Sequence, residues 1–109
     1  MRSSNLLKIQ VFCPRAEADK IRLVIAEAGG GRMGNYSHCA FVSEGLGYFK
    51  PLKGSHPAIG AIGQIEEVEE LKIEFICGRD KAKEIIAAIK KVHPYEEPAI
   101  DIFELLELE

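Results

Sequence analysis

Two stretches of this chain repeat one pattern, a run of alternating apolar residues followed at once by a helical apolar stripe. Leu7, Ile9, Val11 and Cys13 alternate with Lys8, Gln10 and Phe12, the period of a strand with one buried face. Pro14 then suits the opening of a helix. Ala18, Ile21, Val24, Ile25 and Ala28 follow at helical spacing, with Glu17, Lys20, Arg22 and Glu27 on the other side. The pattern predicts a helix from about Ala16 to Ala28, closed by Gly29. The second unit runs through Leu71, Ile73, Phe75 and Cys77 into the stripe Ala82, Ile85, Ile86, Ile89 and Val92. Asp80 is its expected N-cap, and Pro94 ends the helix at or before His93.

Between the units, Gly29-Gly30-Gly31-Arg32-Met33-Gly34-Asn35 reads as a flexible loop. Tyr36–Ser43 reads as a strand, Glu44-Gly45-Leu46-Gly47 as a turn, and Tyr48–Leu52 as a short returning edge strand. Residues 53–64 form a long loop, and the strand containing Leu71 begins near Ile65. Ala99–Leu106 supplies the last strand. The expected order is β-α-β-β-β-α-β, an α+β ferredoxin-like sandwich with an antiparallel sheet and both helices on one face. Residues 1–109 are read as one domain, with Met1–Asn5 a flexible lead-in.

Composition bounds the function. The chain is 47% apolar and 28% charged, a globular balance that excludes disorder as its description. No apolar run approaches the ~20 residues of a membrane span, and no signal core precedes the first strand. A net charge of −3 and no basic-aromatic stripe argue against a nucleic-acid partner. Three cysteines without a CxxC pair argue for a reducing, cytoplasmic setting.

Gly29, Gly31 and Gly34 satisfy GxGxxG, but here a helix precedes the glycines and a strand follows. The dinucleotide fingerprint needs the reverse, so that a pyrophosphate meets a helix N-terminus. Free backbone N–H groups beside Arg32, with Lys50 and Lys53 nearby, leave room for a phosphate or carboxylate. His38, His56 and His93 show no chelating spacing, although Glu96 and Glu97 follow His93 closely. His38, His93 and Glu97 are therefore weak candidates for a divalent cation. Cys13, Cys39 and Cys77 are expected in the core, on strands, as small hydrophobes. The run Glu66-Glu67-Val68-Glu69-Glu70 reads as a solvated strand entry. The C-terminal Leu105, Leu106 and Leu108 among Glu104, Glu107 and Glu109 suggest a partner surface, perhaps another copy of the chain. The Tyr36–Leu52 hairpin offers an edge that a second chain could cover.

Two segments carry a specific resemblance. Residues 28–39, AGGGRMGNYSHC, and residues 93–102, HPYEEPAIDI, resemble the inserted domain of YqfO-type proteins of the NIF-three-like family. Gly45–Leu52 and Ile59–Gly63 resemble it too, so the likeness covers about Leu6 to Leu105. Residues 90–96, KKVHPYE, are separately similar to CutA proteins. The resemblance implies a PII/CutA-like domain that commonly assembles as a trimer. In the longer relatives a dinuclear metal centre lies in the flanking domain, so the resemblance implies no enzyme activity for the insert-like part. What it implies instead is a non-enzymatic module binding a small ligand or ion at clefts between copies. Arg32, Asn35, Tyr36 and His38 would line such a cleft from one segment, and His93, Tyr95, Glu96 and Glu97 from the other. Two alternatives stand beside it: an accessory subunit docking on a separate metal-dependent NIF-three-like protein, and an enzyme with a composite site between subunits. The Tyr95-Glu96-Glu97 run also has a plainer reading, a proline-bounded turn joining helix to strand.

Overall fold

A computed structural model describes residues 1–108; Glu109 lies outside the described residues. The elements are β1 (Arg2–Pro14), a 3-10 turn (Arg15–Glu17), α1 (Ala18–Glu27), β2 (Phe41–Phe49), β3 (Glu66–Gly78), α2 (Arg79–Val92) and β4 (Ile100–Glu107). The four strands form one antiparallel sheet in the order β2-β3-β1-β4. Both helices cover one face of it, giving the α+β ferredoxin-like sandwich.

The alternation read from sequence explains which face they cover. Leu7, Ile9, Val11 and Cys13 of β1 and Ile73, Phe75 and Cys77 of β3 are buried beneath Ala18, Ile21 and Ile25 of α1 and Ala82, Ile85 and Ile89 of α2. Ile9, Ile21, Ile73, Ile85 and Ile89 are wholly inaccessible, and each such side chain contributes roughly 1.5–3 kcal/mol by leaving water. The opposite face has no layer over it. Its residues, Lys8, Gln10 and Phe12 of β1, Lys72, Glu74 and Ile76 of β3 and Phe41 of β2, lie half-buried or exposed.

Several expectations are corrected. The glycine-containing run Glu44-Gly45-Leu46-Gly47 is not a turn but the middle of β2, paired continuously with Leu71, Glu70, Glu69 and Val68. There are therefore four strands, in the order β-α-β-β-α-β, and the extra strand does not exist. Gly47 lies under the Glu70 carboxylate, which a Cβ there would push aside, and does not reverse the chain. Residues 36–40 are not strand either. Met33 and Tyr36 close a tight turn through mutual backbone hydrogen bonds of 2.8 and 2.9 Å, and His38 adopts a left-handed φ of 64° that no strand tolerates. Cys39 consequently sits half-buried in this loop, off the sheet, while Cys13 and Cys77 are buried as expected. Finally, the lead-in is strand from Arg2 onward. Arg2 and Ser3 pair with Glu107 and Leu106 of β4, and Arg2 Nε meets Glu107 Oε1 at 2.8 Å. Asp80 also shifts by a turn's edge: Gly78 is the N-cap of α2, and Asp80 lies in its first turn, where its charge still favours the helix dipole.

Candidate functional site

The end of the sheet where β1 stops carries the densest polar and aromatic cluster. β4 pairs with β1 only as far as Val11–Ile100, so the backbone of Phe12 needs other partners. Its N–H donates to Ala99 O at 3.2 Å, and its carbonyl accepts from His93 Nε2 at 2.8 Å. On the other side of the ring, Tyr95 N–H donates to His93 Nδ1 at 3.1 Å. A backbone N–H can only donate and a carbonyl can only accept, so these partners assign the imidazole proton to Nε2. Both ring nitrogens of the buried His93 are thereby occupied, and it has no lone pair to offer a cation.

Tyr95 extends the cluster. Its ring packs against His93 at 5.0 Å and against Phe49 at 5.8 Å between centroids. Its hydroxyl donates to Glu70 Oε2 at 2.9 Å. Burial and then that carboxylate push the phenol well above its ordinary range. Glu96 Oε1 accepts the His56 N–H at 3.0 Å, which ties the 93–98 turn to the loop between β2 and β3. That loop is closed at its base by Gly63 N–H donating to Pro51 O at 2.8 Å. Between the loop, the turn and the sheet lies a cavity of about 430 Å³, lined by Phe12, Phe49, Pro51, Ile59, Glu70, Tyr95 and Glu97 among others.

The other half of the expected cleft lies elsewhere. Gly31 N–H donates to Ile76 O at 2.8 Å and Gly31 O accepts from Cys39 N–H at 2.9 Å, which fixes the 31–39 loop to the far end of β3. A Cβ on Gly31, whose φ is 75°, would collide with the Cys39 backbone, so only glycine allows this crossing. Arg32, Asn35, Tyr36 and His38 are all exposed there. Arg32 Nε donates to Gly34 O at 3.2 Å, and His38 Nδ1 lies 2.9 Å from Ser37 Oγ. Six residue steps along β3 separate Ile76 from Glu70, which at about 3.3 Å each is roughly 20 Å. Within one chain the structure therefore joins His93, Tyr95, Glu96 and Glu97 but keeps them away from Arg32, Asn35, Tyr36 and His38. Among the described residues no three His, Cys, Asp or Glu side chains come together as a metal group.

Sequence reading missed Phe12, Phe49 and Glu70 at this site. Phe12 was visible as the one aromatic on the polar side of the first strand. Glu70 was hidden in an acidic run that looks uniformly solvated.

No family model matches the chain. It is 47% identical over 103 residues to a Halalkalibacterium halodurans protein called GTP cyclohydrolase 1 type 2 homolog, covering 94% of this chain and 28% of that one. The structure of a Bacillus cereus protein related to NIF3 superposes with a TM-score of 0.82 and 40% identity, over 96% of this chain and 27% of that chain. The chain is a homologue of one segment of the NIF3-related proteins. It spans about a quarter of those relatives. A PII-like CutA protein from Nostoc sp. shares the fold at a TM-score of 0.66 and 15% identity, covering 91% of this chain and 80% of that one. The ferredoxin-like sandwich is thus the PII/CutA-like one, and the long chain segments on which the resemblance rested fall in its two loops and its β4 entry.

Proposed function

We propose that this chain is a non-enzymatic PII/CutA-like module that self-associates, as a trimer, and binds a small ligand or ion between copies in a regulatory or sensing role. The observation that carries this reading is the sheet face without a layer. Phe41 is 67% exposed and Phe103 46% exposed at its two sides, with half-buried Phe12 between them. They surround an ion-pair lattice in which Lys8 Nζ meets Glu74 Oε1 at 2.9 Å. Exposed rings set around paired charges on an uncovered face are suited to covering by another copy. The two strands that project past the end of β1, Leu46–Phe49 and Glu66–Glu69, add a second reason. A two-stranded ribbon is marginal in water alone, and this one carries exposed Leu46 and Tyr48. Association would also be the only way to bring His38 of one copy toward Tyr95 and Glu97 of another.

Native mass spectrometry of the untagged protein, before and after a chelator, tests this. A trimer retaining a small mass is expected, and loss of that mass on chelation would make it a cation. A bare monomer at micromolar concentration overturns the reading. In that outcome the relatives' greater length favours the second reading, an accessory module docking on a separate NIF3-like protein, for which a co-purifying chain is the sign.

A further inference from the structure

We propose that the cavity at the end of β1 is a binding site, complete within one chain, for a small organic cation with an apolar body. It goes beyond the reading above, because no second copy is needed to form it. Three aromatic side chains line it: Phe12 from β1, Phe49 from the end of β2, and Tyr95 from the turn after α2. A volume of about 430 Å³ lies within the range that holds a small ligand, about 300–1,000 Å³.

The polar groups among these rings are mostly of one sign. Glu70, Glu96 and Glu97 all line the cavity, against the one ammonium of Lys50. Each carboxylate retains capacity. Glu70 uses Oε2 on the Tyr95 hydroxyl and Glu96 uses Oε1 on the His56 N–H. Glu97 has no hydrogen-bond or ion-pair partner among the described residues. An ammonium group near Glu97 would meet a carboxylate and the negative faces of the rings together, while its carbon body fills the apolar part. An anion would meet three negative charges, and a neutral apolar molecule would leave Glu97 desolvated without compensation.

The test is a titration of the isotope-labelled protein with 2-phenylethylammonium, with 2-phenylethanol as the neutral match at equal ionic strength, followed by backbone amide shifts. The expected result is saturable movement of the Ser55, Tyr95, Glu96 and Glu97 signals at about millimolar concentration, with the alcohol at least about fivefold weaker. Glu97→Gln, at an exposed position, should keep the spectrum folded and weaken the ammonium by about fivefold. Tyr95→Phe keeps the ring and should retain binding. Equal affinity for the alcohol, an unchanged affinity in Glu97→Gln, or shifts confined to other surfaces would each overturn the proposal. The titration reads one chain's own cavity, so it can succeed where the protein proves monomeric, and fail where the protein proves trimeric.

Discussion

Replacing His93 separates a structural joint from a ligand group, because the two roles have different costs. The ring nitrogens hold the Phe12 carbonyl at 2.8 Å and the Tyr95 N–H at 3.1 Å, and the side chain is buried at 7% exposure. Two hydrogen bonds at about 1 kcal/mol net each, plus the lost packing of the ring on Tyr95, put His93→Ala at about 3 kcal/mol of destabilisation. For a domain of this size that lowers Tm by about 10–20 °C. His93→Gln gives a graded check. Its amide nitrogen can reach the position of Nε2 and keep the Phe12 bond, so about half the loss is expected. Urea unfolding followed by circular dichroism reads both variants, with the slope m showing whether the unfolding transition itself has changed. A loss below about 1 kcal/mol for His93→Ala would refute the joint, and would return the imidazole to the pool of free ligand groups.

Other outcomes follow from the same contacts. Gly31→Ala should cost about 2–4 kcal/mol, from left-handed backbone and the clash with Cys39, whereas Gly34→Ala, also left-handed at φ 57° but with open space around it, should cost only about 1 kcal/mol; paired denaturation curves compare them. Tyr95 is held neutral in the fold, so its share of stability is intact below the unfolded tyrosine pKa of about 10 and is lost as pH rises beyond it. Tyr95→Phe should therefore flatten the alkaline fall in stability. Burial, with Glu70 and Glu17, raises the Cys13 thiol to about 11, and Cys77 is raised by burial as well. A thiol reagent at pH 8 should label Cys39 in the native protein and the other two only on unfolding. Lys8 holds the Glu74 carboxyl below the ordinary range, so the stability it adds is present at neutral pH and lost as pH falls through its folded value. Lys8→Gln should move the Glu74 titration upward by NMR.

The strand–helix units were legible because periodicity reports burial directly. Ile9, Val11, Ile73 and Phe75 could face only a core, and the stripes of α1 and α2 could face only them. The region from Gly29 to Leu52 was misread because glycine has two uses that look alike in sequence. At Gly31 it permits a left-handed crossing under Cys39; at Gly45 and Gly47 it sits in ordinary strand, and at Gly47 it makes room for Glu70. Only the partner across the sheet distinguishes the two, and that partner lies more than twenty residues away in the chain. The N-terminal lead-in failed for a similar reason. Arg2-Ser3 has no apolar period, and its order comes from β4, the last element of the sequence.

The site divides along the same line. His93, Tyr95, Glu96 and Glu97 were visible together because one proline-bounded turn carries them, and local sequence is enough to keep neighbours near. What makes that turn a cavity wall is remote: Phe12 at the end of β1, Phe49 at the end of β2 and Glu70 in β3. Glu70 spans the gap, with one oxygen over Gly47 and the other on the Tyr95 hydroxyl. The ring of Tyr95 is thus set by a strand residue and the ring of His93 by a strand carbonyl. A turn that served only to reverse the chain would need neither contact, since Pro94 and Pro98 already restrict its backbone. The two contacts instead fix the rings of Tyr95 and His93 against the sheet. Rigid walls around the Glu97 carboxylate are what the proposed cation site requires.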